Sequence, residues 1–324
     1  MVDMSKGSRF IFVGGAPRSG TTLMQNMLDS HPNILGGPEF IHIPDIVHLR
    51  NKLHHSIAIE WIDHFCSYDD VDRYIRFLIE SLLLPLVDSY GNKFLSEKTP
   101  GNVLVFPELI SLFPDSHFIH VVRDPRAVVA SLLQVGMRAK KKGIETAAFT
   151  GSLEAATAYS KKCMMAGFTA SKIAPEKVLT VAYERLVLNP ESETKNICNF
   201  LGVDWSSQMT NPGSYRHLGE KAITSKSDEI WYDATMYNSN PEAHHIDKWK
   251  TLLTPTQRVR IAKSFRDCEE LVKLGYDFSI NGLPKANYII GLTYSTFFPL
   301  IDKALNSIQS IAFRIASIRR RLYN

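Results

Sequence analysis

The residues Gly15, Gly20, Thr21 and Thr22 form the pattern G-x-x-x-x-G-T-T, whose residue types and spacing could bind an anion. The apolar segment 10–13 precedes the pattern, and a helical periodicity begins directly after it. A glycine turn between a strand and a helix offers successive backbone N–H groups to an anion. Threonine stands where the usual phosphate-binding loop has a lysine for β- and γ-phosphates. The pattern therefore predicts a loop for a nucleotide-type anion that has no γ-phosphate.

Three further residues inside this loop could take part in anion binding, namely Pro17, Arg18 and Ser19. The Arg18 guanidinium and the Ser19 hydroxyl can both donate hydrogen bonds to a phosphate or sulfate oxygen. An ordinary Gly/Ser-rich turn is the alternative interpretation, and the order of strand, loop, threonine pair and helix argues against it.

A second candidate group follows a buried strand over residues 117–122. Arg123 comes directly after that strand, and Ser131 follows eight residues later on the next predicted helix. Ligands of an α/β sheet bind at the carboxyl ends of its strands, and an arginine fork with a hydroxyl suits a phosphate dianion. The alternative is that Arg123 pairs with its neighbour Asp124 or caps a neighbouring helix.

The elements that must position these residues alternate along the chain. Strands are predicted over 10–13, 93–97, 117–122 and 178–181, and helices over 21–30, most of 41–89, 125–135, 153–173 and 191–201. Residues 206–247 have the composition of a long irregular lid. Such alternation predicts an α/β fold with a central parallel sheet that is covered by helices on both faces.

Composition and charge exclude several classes of function. The chain has 324 residues, 37 basic and 33 acidic, and a net charge of +4, which is too mild to indicate nucleic-acid binding. The four cysteines form no C-x-x-C pair and the eleven histidines show no ligand spacing, so we expect no metal site and a reducing compartment. The polar N-terminal residues predict no signal peptide, which favours a cytoplasmic protein.

These motifs resemble those of sulfotransferases that use 3′-phosphoadenosine 5′-phosphosulfate (PAPS), and in particular the tyrosylprotein sulfotransferase branch. The resemblance spans about residues 9 to 282 and is carried by residues 15–24, 28–32, 122–126, 183–187 and 248–249. It implies a P-loop-NTPase-like three-layer fold over 1–282. It also implies an enzyme that moves a sulfuryl group from PAPS to an acceptor and releases PAP, with no metal.

The resemblance also assigns roles to individual residues. Glu39 corresponds to the general base that removes the acceptor proton, and Lys98 to the cation that stabilises the leaving oxygen. His42 is a rival base that matches the motif less well. The loop residues Pro17 to Thr22 would hold the 5′-phosphosulfate. The remaining nucleotide contacts would come from Arg123, Ser131, Tyr183 and Lys248.

The chain departs from the peptide-sulfating branch at two positions. That branch has two arginines shortly after the catalytic glutamate, where this chain has Ile41 and Asp45. An acidic side chain there would repel an acidic peptide. We therefore expect a small-molecule, glycan or lipid-linked acceptor, and an acidic tyrosine peptide less.

Residues 283–324 form a C-terminal segment with apolar residues at helical spacing and the basic end Arg319-Arg-Arg321. This pattern predicts a helical tail that packs on an anionic membrane at its inner face, on its own domain or on a second subunit. Two other functions remain as alternatives at this point. They are a nucleotide-dependent kinase with a degenerate loop and a non-catalytic nucleotide-binding protein at a membrane.

Overall fold

A computed structural model describes residues 8–91, 94–219, 228–232, 236 and 238–279 of the chain. The chain divides into two compact units, Met1–Trp249 and Lys250–Asn324. The predicted boundary at residue 282 and the predicted tail over 283–324 lie outside the described residues. Both therefore remain predictions.

The first unit is built on one five-stranded sheet in which every pairing is parallel. Its strands are β1 (Phe10–Gly15), β2 (Ile34–Gly36), β3 (Phe94–Lys98), β4 (His117–Val122) and β5 (Val178–Ala182). Their order across the sheet is β2-β3-β1-β4-β5, so the strand that leads into the loop is central. The parallel α/β sheet predicted from the sequence is confirmed.

Helices connect these strands, as parallel pairing requires. In the first unit they are α1 (Thr21–Asp29), α2 (Ile43–Ala58), α3 (Tyr68–Tyr90), α4 (Phe106–Leu112), α5 (Pro125–Lys142), α6 (Leu153–Ile173), α7 (Tyr183–Leu188), α8 (Pro190–Leu201) and α9 (Asp228–Trp231). Helix α10 (Trp249–Leu252) lies at the division between the units, and the second unit contains α11 (Pro255–Phe265) and α12 (Glu269–Lys273).

The core lies on both faces of the sheet, because the side chains of β1 alternate between them. Phe10 and Phe12 stack on one another and contact Phe113 on one face. Ile11 and Val13 join a buried cluster on the other face, together with apolar residues of α1 and α8. This double burial fixes the position of β1 and hence of the loop at its carboxyl end.

Helix α5 is longer than the sequence predicts. It runs to Lys142 and ends at Gly143, whose φ is 64°, whereas the prediction ended it near Val135. The extension begins with Gly136, a poor helix former, but the residues that follow it are Met, Arg, Ala and Lys, which are strong helix formers. Arg138 and the lysines 140–142 form a basic run in the sequence. This run therefore occupies the last turns of the helix, where cations are favourable.

Candidate functional site

The loop between β1 and α1 turns through two residues with positive φ, Arg18 at 75° and Gly20 at 101°. The backbone N–H of Ser19 donates to the Ala16 carbonyl at 3.0 Å and closes the turn. A Cβ atom on Gly20 would lie 2.3 Å from Cδ2 of Tyr183. Gly20 is therefore required both by its conformation and by the ring that packs against it.

The Ser19 hydroxyl is an unusual feature of this loop. It is buried, and it has no hydrogen-bond partner among the described residues. Buried polar atoms are almost always hydrogen-bonded, so the Ser19 hydroxyl is a donor that remains available to an anion in the loop. Thr21 and Thr22 are buried at the start of α1, and Pro17 is half-buried at the turn. These loop residues fit the anion site that the sequence predicts.

Two arginines meet next to the loop. The Arg18 Nε donates to Ser131 Oγ at 3.0 Å, and Arg123 Nη1 donates to the Arg18 carbonyl at 3.3 Å. Neither guanidinium has a carboxylate partner within the part of the chain that the structure describes. The pKa of Arg18 is lowered to about 10, mainly by burial and then by Arg138 and Arg123. Cations that are held together without a counter-charge suit an anionic ligand.

Asp124, the alternative partner of Arg123, is paired with Arg126. Asp124 accepts from the backbone and the guanidinium of Arg126, at 2.8 Å and 2.7 Å. The Arg126 guanidinium also stacks on the Trp249 ring at 4.2 Å. The Arg126 guanidinium is therefore held by Asp124 and Trp249, whereas the Arg123 guanidinium contacts the Arg18 backbone in the anion loop.

Tyr183 and the backbone of His245 both contact Arg123. The Arg123 guanidinium stacks on the Tyr183 ring at 4.3 Å, and burial raises the pKa of the Tyr183 hydroxyl. Arg123 also donates to the His245 carbonyl at 2.8 Å. The pKa of His245 is lowered, first by burial and then by the charges of His244 and Lys248. Lys248 itself is exposed.

Glu39 and Lys98 form an ion pair at the carboxyl end of β3. The Lys98 Nζ donates to Glu39 Oε1. The side chain of Lys98 is only 3% exposed, and that of Glu39 is 19% exposed. Tyr232 donates its hydroxyl to the same oxygen of Glu39 at 2.5 Å. A carboxylate, an ammonium and a phenol therefore converge at one point of the sheet edge.

Glu97 precedes Lys98 in the sequence, which would also be consistent with a simple surface ion pair between these neighbours. Both residues are buried, so they do not form one. The Glu97 Oε1 accepts from the Phe40 backbone at 3.1 Å and from the Thr99 hydroxyl at 2.7 Å. Its Oε2 accepts from the Asn102 amide. Burial is the main cause that raises the pKa of Glu97 to about 7.

Sequence reasoning missed two contributors to this region, Tyr232 and Arg138. The Arg138 guanidinium donates to the Ile230 carbonyl at 3.0 and 2.6 Å, and thereby attaches α5 to α9. The sequence places Arg138 in a basic run that is typical of a solvated helix face. The only signal for Tyr232 is an aromatic pair, Trp231-Tyr232, inside an otherwise polar stretch.

His42 is exposed and contacts Asp45 at 3.3 Å between Nδ1 and Oδ2. A separate group, Glu242, His244 and His245, brings its ligand atoms within 4.8 Å of one another on the surface. The His244 Nδ1 lies 2.9 Å from a Glu242 oxygen. These side chains could bind a cation, although no such spacing was apparent from the sequence. The three residues are exposed, and exposed acidic groups are common at places where no metal binds.

Comparison with known proteins places this site in a family context. The profile of a family described as "Sulfotransferase family" matches residues 10–207. A Caenorhabditis elegans protein named protein-tyrosine sulfotransferase A is 30% identical over 86% of the chain and 70% of its own length. A Gallus gallus protein named protein-tyrosine sulfotransferase 2 is 31% identical over 63% of the chain. The match spans 54% of that relative, about half of its length.

Solved structures support the fold. The sulfotransferase domain from the curacin biosynthetic pathway superposes with a TM-score of 0.55 at 22% identity, over 82% of the chain and 97% of that domain. A sulfotransferase domain from the Synechococcus PCC 7002 olefin synthase gives a TM-score of 0.52 at 20% identity, over 85% and 95%. At these identities the likeness concerns the fold alone.

The relatives correct the predicted acceptor. The expected preference for a small-molecule, glycan or lipid-linked acceptor over a tyrosine peptide is wrong, because the similar proteins are protein-tyrosine sulfotransferases. The argument rested on the charge at only two positions. In the structure Ile41 is exposed, and the Asp45 carboxylate contacts His42. Two positions without arginine therefore do not exclude a peptide.

Within the described residues, no helix has the length and apolar character that crossing a membrane requires. The comparisons do not support the predicted cytoplasmic location, and it stays a prediction.

Proposed function

This chain is a member of the sulfotransferase family, and we propose that it transfers the sulfuryl group of PAPS to the phenolic hydroxyl of a protein tyrosine. The observation that carries the proposal is the contact of Lys98 with Glu39 at the sheet edge next to the anion loop. This arrangement would combine a base, a cation and a cluster of hydrogen-bond donors at one edge of the sheet. The names of the similar proteins support the tyrosine acceptor.

The donor would be held at both of its ends. The backbone N–H groups of the loop and the unpartnered Ser19 hydroxyl suit the 5′-phosphosulfate. Arg123, Arg18 and Ser131 form a second group of donors, which suits the 3′-phosphate that distinguishes PAPS from most adenine nucleotides. The Tyr183 ring, which stacks on Arg123, offers an aromatic wall beside this group.

Glu39 would act as the general base. Its carboxylate already accepts a hydrogen bond from a phenol in this structure, which is the contact that an acceptor tyrosine requires. As the acceptor oxygen bonds to sulfur, the phenolic proton passes to Glu39. The bond between sulfur and the bridging oxygen of the 5′-phosphate breaks, and PAP leaves.

Lys98 would stabilise the charge that develops on this bridging oxygen. A compact ammonium in a buried position is effective there because the low dielectric strengthens its electrostatic field. Its present contact with Glu39 keeps the ammonium at the point where donor and acceptor meet. The mechanism uses no metal in any step.

The direct test is transfer of labelled sulfate from PAPS to a tyrosine-containing peptide by the purified chain. A matched peptide with phenylalanine at the same position serves as the control. We expect label in the tyrosine peptide alone, together with an equal amount of PAP. Equal labelling of both peptides, or no labelling while PAP binds tightly, would contradict the proposal.

A thermal-shift titration separates the proposal from the kinase alternative. Thr21 is buried where a kinase-type loop would need its lysine, so we expect PAP to stabilise the chain at lower concentration than ATP does. A stronger effect of ATP would favour a kinase.

A further inference from the structure

Tyr232 occupies the position that the proposed reaction requires for its acceptor. Its hydroxyl donates to Glu39 Oε1, the oxygen that also accepts from Lys98. The Lys98 Nζ lies 5.7 Å from the centroid of the Tyr232 ring. A phenol of the chain itself is therefore bound to the proposed base beside the cation that would assist the leaving group.

The backbone next to Tyr232 is attached to the proposed donor site. Arg18 Nη1 donates to the Trp231 carbonyl at 2.5 Å, and Arg138 donates to the Ile230 carbonyl. Arg18 belongs to the anion loop, and its Nε contacts Ser131. The segment that carries Tyr232 is therefore held by a guanidinium of the proposed donor site.

Other tyrosines of the chain have different surroundings. The Tyr183 ring packs under the Arg123 guanidinium, in the group of residues proposed to bind the 3′-phosphate. Tyr74 on α3 is 63% exposed and contacts the Arg73 guanidinium at 5.1 Å. Tyr74 is thus more accessible to a second enzyme molecule than the half-buried Tyr232 is. Modification at Tyr232 would therefore indicate transfer within one chain, and modification at Tyr74 would indicate transfer between chains.

We infer that Tyr232 is itself an acceptor, so that the chain transfers a sulfuryl group from PAPS to its own Tyr232; this inference rests on the proposed function. The Tyr232 oxygen forms a bond to sulfur, its proton passes to Glu39, and the bond from sulfur to the 5′-phosphate oxygen breaks with release of PAP. The product is a tyrosine sulfate, which is anionic and has no proton to donate. Glu39 is neutral while it holds this proton. Once Glu39 has released the proton to solvent, base and product are both anions, and their repulsion drives the sulfate ester away from Glu39.

This reaction would occur once in each chain and would leave Glu39 accessible to an external tyrosine. Because acceptor and base belong to one molecule, its rate would not depend on the enzyme concentration.

The test is to incubate the full chain with PAPS and to locate the added sulfuryl group by mass spectrometry of its peptides. We expect a single modified residue, Tyr232, with a first-order rate that stays the same over a tenfold range of enzyme concentration. Tyr232→Phe should remove the modification, whereas Tyr74→Phe, the matched control on the exposed helix, should retain it.

The same samples also receive an external tyrosine peptide, so that two failures can be told apart. If the peptide is sulfated and Tyr232 remains unmodified, the inference is wrong and the proposed function stands. If modification appears mainly at Tyr74 or rises in rate with enzyme concentration, transfer occurs between chains and the inference is likewise wrong. If neither the peptide nor Tyr232 is modified although PAP binds, the proposed function fails and the inference fails with it.

Discussion

The backbone N–H of Phe40 donates to Glu97 Oε1 at 3.1 Å, and this contact joins the turn that carries Glu39 to the strand that carries Lys98. Phe40 follows Glu39 directly, and Lys98 follows Glu97 directly, so one hydrogen bond fixes both members of the candidate catalytic pair. The Asn102 amide and the Thr99 hydroxyl hold the Glu97 carboxylate in turn. Glu97 therefore attaches the turn that carries Glu39 to the strand that carries Lys98.

Removal of either member of the candidate pair should abolish transfer but leave donor binding intact. We expect Glu39→Ala and Lys98→Ala to lower the single-turnover rate by about 10²–10³-fold, because one loses the base and the other loses the cation at the leaving oxygen. Calorimetry should show PAP affinity within about threefold of the unaltered chain.

The exposed carboxylate Glu145 provides the control for this pair. Glu145→Ala should retain the full rate. Turnover like that of the unaltered chain in Glu39→Ala or in Lys98→Ala would remove that residue from the mechanism.

The arginine cluster should recognise the 3′-phosphate specifically. Arg123→Ala should weaken PAP binding by about 10–100-fold, since hydrogen bonds to a charged group contribute roughly 1.5–3 kcal/mol. Binding of adenosine 5′-monophosphate, which lacks the 3′-phosphate, should change little. Isothermal titration of both ligands measures the difference, with Lys140→Ala on the exposed end of α5 as the control. Equal losses for the two ligands would argue against a 3′-phosphate site at Arg123.

The fold and the family could be predicted from local sequence features, and both are confirmed. The strands are continuous apolar runs that end in turn residues, and the loop 15–22 is a contiguous motif. The sulfotransferase class follows from several such motifs in order. The roles of the individual site residues remain predictions, although the structure brings Glu39 to Lys98 and Arg18 to Ser131 and Arg123.

The features that the sequence did not reveal depend on long-range contacts. Tyr232 reaches Glu39 across 193 positions, and Arg138 reaches Ile230 across 92, so no local pattern indicates either contact. The acceptor prediction was wrong for a related reason. It judged the binding of an acidic peptide from Ile41 and Asp45 alone, whereas the Asp45 side chain has His42 beside it in the fold.

Gly20 should be intolerant of a side chain for two reasons that a control can separate. Its φ is 101°, and a Cβ atom would meet the Tyr183 ring at 2.3 Å. Gly202 at the end of α8 has a φ of 67°, but a Cβ atom there would meet nothing within 4 Å. Gly202→Ala should therefore cost about 1 kcal/mol of unfolding free energy from backbone strain alone.

Gly20→Ala should cost more than Gly202→Ala and should also weaken PAP binding, because the ring or the loop must move. Urea unfolding and PAP titration of both variants measure these effects. Equal destabilisation with unchanged PAP affinity would show that the packing of Tyr183 on the loop is unimportant.

Glu97 should make the stability of the fold depend on pH. Burial raises its pKa from 4.5 to about 7, so the folded chain keeps a proton that the unfolded chain releases between these values. The folded chain then binds more protons than the unfolded chain, and stability must fall as pH rises through this interval. Below about pH 4.5, protonated Glu97 makes its full contribution to the free energy of unfolding. This contribution falls as the pH rises and is lost above about pH 7, and the total loss is on the order of 3 kcal/mol.

Glu97→Gln should remove this dependence, because the side chain is then neutral at every pH. The amide can still accept from Phe40 and Thr99, and rotation of the Asn102 amide would present its Oδ1, which has no partner among the described residues, to the new N–H donor. Urea unfolding at pH 5 and pH 7.5 measures the effect, with Glu145→Gln on the surface as the control. Other groups titrate equally in both chains, so the difference between them isolates Glu97. We expect the unfolding free energy of Glu97→Gln, relative to that of the unaltered chain, to be higher at pH 7.5 than at pH 5. If this free-energy difference were the same at both pH values, Glu97 would already be ionised in the folded chain at pH 5.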